Sequence, residues 1–342
     1  MTRRDAYLAT AAIVAFAILA TATFLLTRSG GEAAPAIIAE ATPAFQPEPR
    51  PDPAAGEPAT PAAATDLDPA YGAYQRRLYR TAMELALPLA EAGNRVSQTL
   101  MGILLAEGFG VPQDFTESAG WFQLAANAGE PYAQFQLGLY HLNGTGVAED
   151  AAAAVRYLEL SAAQDNRDAL FALAVMALEA GAIEDDEERR TAIDRLARAA
   201  ELGLAAAQYE LGRQYVDGDN VIRNDQIANA WLRRSAEQGY VDAEIDYGIR
   251  LANGVGAPRD EEAAAGWLRR AAISGNPVGQ ARYGQMLAAG IGVAPDPVAA
   301  ATYYLLARSA GLEDPFLADF FAGLTAEQQA EATDAAADLG RP

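Results

Sequence analysis

The sequence predicts an all-α solenoid, a stack of two-helix hairpins carried on an N-terminal tether. Three observations carry that expectation. The chain repeats itself every 36 residues, its apolar residues fall at helical spacing within each period, and it opens with a 20-residue uncharged run followed by a Pro- and Ala-rich segment.

The period is read with Gly138 as origin. A step of 36 residues back reaches Gly102 and a step forward reaches Ala174; a step of 38 then reaches Gly212, and two more of 36 reach Gly248 and Gly284. Four residues before the origin stand Gln98, Gln134, Gln208, Glu244 and Gln280. Six after it stand Gly108, Gly144, Gly218, Gly254 and Gly290. Nineteen after it come Trp121, Tyr157, Trp231, Trp267 and Tyr303, and twenty-seven after it Gly129, Asp165, Gly239, Gly275 and Gly311.

Each unit reads as two helices. The first runs from about Arg95 to Glu107 and stops at Gly108, the residue type best suited to a left-handed helix C-terminus. Asp114 is a natural N-cap for the second, with Glu117 completing a capping-box pattern, and Asp150, Asp225, Asp260 and Asp296 stand at or next to the same position elsewhere. Trp121, Phe122, Ala125 and Ala126 lie on one face of that second helix. A glycine at each origin permits close approach of the pair. Such a hairpin cannot bury its apolar faces alone, so the units must stack.

This frame decides a tempting motif. The only histidine, His141, precedes Gly144-x-Gly146, which resembles a general base beside a phosphate-cradling loop. The same Gly-x-Gly recurs as Gly108/Gly110, Gly254/Gly256 and Gly290/Gly292, each followed by an apolar plug at Val111, Ala257 or Val293. His141 occupies a slot that holds Leu105, Leu251 and Leu287 in other units. The expectation is a hairpin turn with a packing histidine.

The 36-residue pattern AQ-x-x-LG…G-x-GV…D…W…AA-x-x-G resembles the Sel1-like repeat, a relative of the tetratricopeptide repeat. The resemblance covers six units over residues 93–311. It implies a right-handed α-solenoid that serves as a non-catalytic adaptor for protein complexes, in bacteria often in the cell envelope, in cell-wall or polysaccharide assembly or the regulation of membrane sensors. Residues 70–92 resemble the helical cap that precedes such arrays, and residues 312–342, with LTAEQQAEA, the closing helices. The third unit departs from the pattern: Ala174 replaces the origin glycine, two extra residues fall near Ile183 to Arg190, and Arg195 takes the aromatic slot. That unit is expected to be a weak joint or an acidic knob.

Composition narrows the chemistry. There is no cysteine and no lysine, so thiolate, disulfide, Walker-type, Schiff-base and pyridoxal chemistry have no residue to act through. One histidine cannot make a two-histidine metal site. The formal net charge of −21 argues against a nucleic-acid partner. No cofactor and no metal are expected. The remaining enzymatic alternative is a pair of carboxylates modifying the cell wall, but Asp114, Asp150, Asp260 and Asp296 already have local work as helix caps. A passive structural spacer is the other alternative.

Tyr7 to Leu26 is long enough, at about 30 Å, to cross a hydrocarbon core. Arg3 and Arg4 before it favour a cytoplasmic N-terminus. Residues 1–27 are therefore expected to be an uncleaved inner-membrane anchor with the repeats in the periplasm. A cleavable signal peptide, with Ala20-Thr21-Ala22 as its site, would secrete the chain to the same compartment. Residues 28–69 read as a disordered linker spanning ~35 Å as a flexible coil.

Partner proteins are expected on the concave side, which the first helices line. Residues two before and two after each origin share a helix face. The predicted stripe is Gln136 and Tyr140, Glu210 and Gln214, Asp246 and Arg250, Arg282 and Met286, with an Asp246–Arg250 pair if the face is merely solvated.

Overall fold

The computed structural model describes residues 69–179 and 185–339, and among these it contains sixteen helices and no strand. The expected anchor and all but the last residue of the expected linker lie outside the described residues. Among the described residues no helix is long and apolar enough to cross a membrane.

Two compact units divide the described chain, one ending at Leu204 and one starting at Ala205. The first holds α1 (Pro69–Gln75), α2 (Tyr79–Glu91), α3 (Arg95–Glu107), α4 (Phe115–Asn127), α5 (Pro131–Asn143), α6 (Ala151–Ala162), α7 (Arg167–Glu179) and α8 (Asp186–Glu201). The second holds α9 (Ala205–Asp217), α10 (Asp225–Glu237), α11 (Val241–Asn253), α12 (Glu261–Ile273), α13 (Pro277–Ala289), α14 (Pro297–Ser309), α15 (Pro315–Ala322) and α16 (Ala326–Leu339). The unit boundary falls at the end of the hairpin that departs from the repeat pattern.

Local sequence explains where the helices begin and end. Asp114, Asp150, Asp260 and Asp296 each accept backbone N–H bonds in the first turn of their helices. Asn224 caps α10, so Asp225 moves one place inside and its carboxylate is free for another partner. Gly108, Gly144, Gly254 and Gly290 close the first helices in the left-handed conformation.

Where a hairpin carries glycine at the origin, that glycine sets the helix spacing. A Cβ on Gly138 would lie 2.9 Å from Leu158 Cγ, and one on Gly212 2.9 Å from Leu232 Cγ. The leucine therefore fills the space that a side chain would take, and Leu158 and Leu232 are fully buried. In the third hairpin Ala174 and Leu196 are both fully buried, so α7 and α8 accommodate the extra methyl.

The turns seat each hairpin on its neighbour. Gly146 has φ +67°, and a Cβ there would meet the Phe115 carbonyl oxygen, at the start of the preceding second helix, at 2.1 Å. Gly256 meets the Asp225 carbonyl in the same way. The plug residues Val147, Ala257 and Val293 pack on the adjoining cores.

The aromatic slot is not uniformly buried. Trp121, Trp231 and Trp267 are only half-buried. Trp267 meets Tyr247 edge-on at 5.8 Å and is covered by the Arg270 guanidinium at 4.7 Å. Arg234 covers Trp231 at 4.6 Å. A cation over the ring does there what a second apolar layer would do in a globular core.

Candidate interaction surface

At roughly 100° per residue, positions −6, −2, +1 and +5 from the origin fall within about 60° of one another on a first helix. This is the free face. In the second unit it carries Ala206, Glu210, Arg213 and Asp217 on α9, Asp242, Asp246, Ile249 and Asn253 on α11, and Val278, Arg282, Gln285 and Ala289 on α13. In the first unit α5 presents Tyr132, Gln136 and Asn143 and α3 presents Val96, Ile103 and Glu107, while Leu100 and Leu139 at the equivalent positions are buried in the core.

The predicted stripe separates along this geometry. Its −2 members, Gln136, Glu210, Asp246 and Arg282, are half-buried on the free face. A four-residue step drifts by about 40°, so the +2 residues turn toward the second helices. Tyr140 is buried and its hydroxyl lies 3.0 Å from Ser118 Oγ, with the Phe122 ring edge-on at 5.6 Å. Met286 is buried in the core of the second unit. Neither can contact a partner, and both are corrected to packing residues. Gln214 is half-buried, donating to Glu210 at 2.8 Å and accepting from Asn220 at 2.8 Å.

The expected Asp246–Arg250 pair is also corrected. The Arg250 side chain is 11% exposed and donates to Asp225 Oδ1 at 2.7 Å and to Asn229. Partial burial opposes the charge on Asp225, yet the Arg250 guanidinium holds its carboxyl below the ordinary range. Asp246 instead accepts a hydrogen bond from the Tyr209 hydroxyl at 3.1 Å, across to the neighbouring first helix. Partial burial pushes the Asp246 carboxyl above the ordinary range, against the opposing pull of its Tyr209 hydrogen bond and of Arg213. The rings of Tyr209 and Tyr240 lie 5.1 Å apart beside that carboxyl.

Sequence reasoning missed Tyr209, Arg213, Tyr240 and Asp242. For Asp242 and Arg213 the signal was available in the angular drift, which favours −6 and +1 over +2; Tyr209 at −3 and Tyr240 ahead of its helix carried no such signal.

His141 sits in the last turn of α5, half-buried, its ring stacked on Tyr157 at 5.7 Å and 8°. Its Nδ1 lies 3.3 Å from the Ala148 carbonyl oxygen. The backbone of the preceding hairpin occupies the space in front of Gly146 where a phosphate would have to enter. The motif is a packed turn. Among the described residues no group of three or more His, Cys, Asp or Glu could hold a metal ion.

Stacked helical hairpins joined by glycine turns, with an outward stripe on the first helices, define a tetratricopeptide-like interaction repeat. The Sel1 repeat model matches residues 95–130, 131–166, 205–240, 241–276 and 277–312, more than half of the chain, and the protein belongs to the Sel1 repeat family. The departing pair α7–α8 lies in the gap between the matches. A Sel1 repeat protein from Oxalobacter formigenes is 25% identical with a TM-score of 0.60, covering 72% of this chain and 96% of that one. A protective antigen of uropathogenic Escherichia coli with the same repeat fold is 25% identical, TM-score 0.48, over 76% of this chain and 64% of that one. An immunity protein from Pseudomonas aeruginosa is 18% identical, TM-score 0.40, over 74% and 82%. No curated protein matches the chain. Sel1 repeat proteins generally mediate protein–protein interaction, and no enzyme family is indicated.

Proposed function

We propose that the protein is a non-catalytic scaffold that binds partner proteins on the free face of its first helices. The observation that carries this reading is the contrast between positions. Packing residues recur from hairpin to hairpin, whereas −6, −2 and +1 vary freely between Tyr, Asp, Val, Gln, Arg and Ile. A face that varies while its frame is constant is how a repeat array acquires specificity. The cap carboxylates are engaged with backbone amides and need no catalytic role.

A photocrosslinking residue placed in cells at Gln136, Asp242 or Gln285 should capture a protein, and one at Glu117 or Glu262 on the second helices should not. Capture only from the second-helix positions would refute the assignment. Deletion of single repeats separates a scaffold, which should fail abruptly, from a passive spacer, which should fail gradually.

We also propose that the repeats act in the cell envelope, outside the cytoplasm, on an uncleaved inner-membrane anchor. The support is the uncharged run Tyr7 to Leu26 with Arg3 and Arg4 before it. A C-terminal alkaline phosphatase fusion should be active and a cytoplasm-dependent fluorescent fusion dark. A mature N-terminus at Thr23 would replace the anchor by a cleaved signal.

A further inference from the structure

The two units present different chemistry on equivalent positions. On α3 and α5 the free face holds Val96, Ile103 and Tyr132 with one carboxylate, Glu107, and Leu100 and Leu139 at the equivalent positions are buried in the core. On α9 and α11 it holds four carboxylates, Glu210, Asp217, Asp242 and Asp246, and a single cation, Arg213. That cation lies 3.4 Å from Asp217. Arg250, the next basic side chain along α11, is committed to Asp225 and Asn229 on α10 and is 11% exposed. The face is left with an excess of three negative charges.

The neighbours of these carboxylates matter as much as their number. Tyr209 and Tyr240 stand together at one edge, and the Tyr209 hydroxyl is spent on Asp246. The pair offers ring area next to a carboxylate, the combination that receives a guanidinium or ammonium by charge-assisted hydrogen bonding and cation–π contact. The half-burial of Asp246 makes the location selective, since a carboxylate with restricted hydration gains more from an arriving cation than a solvated one.

We infer that the α9–α11 face docks a cationic peptide segment, bearing Arg or Lys, of a partner protein, with Asp242, Asp246 and Glu210 receiving its charges and Tyr209 and Tyr240 its side-chain stems. This rests on the scaffold reading above and specifies the partner's chemistry at one part of the face. Partial burial holds the Asp246 carboxyl above the ordinary range. Affinity should therefore fall on acidification before ordinary surface carboxylates titrate.

The test uses the full-length protein and a fluorescein-labelled (Lys-Ala)4 amide as probe, read by anisotropy. Any cationic peptide is attracted to a chain of net charge −21, so two variants with the same charge change are compared. Asp242→Asn with Asp246→Asn should weaken the probe at least tenfold, and Glu262→Gln with Glu327→Gln less than twofold. Equal weakening means attraction to net charge alone and overturns the proposal. A second measurement needs no variant. Because the chain has no lysine, carbodiimide coupling joins its carboxylates to the probe's amines. Adducts should concentrate on Asp242, Asp246 and Glu210; adducts spread over the 46 acidic residues overturn the inference even where the double variant fails to fold. Photocrosslinks that still capture a partner from Gln136, Asp242 or Gln285 while the probe ignores Asp242 and Asp246 would keep the scaffold reading and remove the cationic partner.

Discussion

The hairpins at 131–166 and 167–204 sit side by side in the first unit, and only one of them matches the repeat family. Both pack two helices around a buried leucine, Leu158 in α6 and Leu196 in α8. They differ in what surrounds that core. The second hairpin has Gly138, the Gly144/Gly146 turn, Tyr157 in the ring slot and a buried Gln134. The third has Ala174, Arg195 in the ring slot and Leu170 in place of the glutamine. The hairpin itself survives on small residues and one leucine. The family signature lies in the contacts each hairpin makes with the next.

The largest effect should come from the turn. Gly146→Ala combines a left-handed backbone with a methyl forced to 2.1 Å from the Phe115 carbonyl, and should cost roughly 3–5 kcal/mol. Gly129 has φ +79° but nothing within 4 Å of its would-be Cβ, so Gly129→Ala should cost only about 1–2 kcal/mol. Urea unfolding of the two variants measures the difference. Equal losses would show that seating on the neighbouring hairpin is not what Gly146 is for.

The ring slot comes next, with opposite signs in the two hairpins. Tyr157 is buried, stacked on His141, and its hydroxyl accepts from Gln123 at 2.8 Å in the preceding hairpin. Tyr157→Ala should cost about 3 kcal/mol. In the third hairpin Arg195 lies 3.7 Å from Glu159 beside an open cleft of about 330 Å³, lined by Val155, Leu173 and Met176 on one side and by Glu159, Asp185, Glu187 and Glu188 as well. Arg195→Tyr should stabilise by about 0.5–2 kcal/mol at high salt, where the ring packs on Val155, Leu173 and Met176 and the carboxylates left without Arg195 are screened. A loss of stability there would mean that the third hairpin has been rebuilt around the arginine.

These sites show what was legible in the sequence. The period gave helix boundaries, caps and turn glycines, because each depends on backbone geometry that only a few residue types satisfy. The role of His141 was legible by its register alone. The exposure of the predicted stripe was only half legible: its −2 residues stay half-buried, whereas Tyr140 and Met286 at +2 are buried, because a four-residue step drifts toward the second helix. The half-burial of the tryptophans was hidden, since whether a guanidinium covers a ring depends on side-chain reach. His141→Leu tests the register argument. The slot holds leucine in three other hairpins, so the change should stay within about 1.5 kcal/mol and leave cellular function intact. Loss of function with unchanged thermal unfolding would make the stretch a site after all.

The smallest effect concerns the buried glutamine that the third hairpin has abandoned. In the second hairpin Gln134 donates to the Ala126 carbonyl at 3.2 Å and accepts from Gln164 at 2.8 Å. Gln238 serves Gln208 in the same way at 2.7 Å. In the first hairpin Gln98 still donates, to the Ala90 carbonyl at 3.0 Å, but the residue equivalent to Gln164 is Ala128, and the buried Gln98 Oε1 has no hydrogen-bond partner. Ala128 is exposed at the end of α4, where a glutamine costs the backbone little. Ala128→Gln should therefore raise stability by about 1 kcal/mol, the worth of one satisfied buried acceptor. A double-mutant cycle with Gln98→Leu isolates the pair: the gain should vanish when Gln98 is gone. A gain that persists without Gln98 would trace to helix propensity, and no gain in either background would mean that water already satisfies the acceptor.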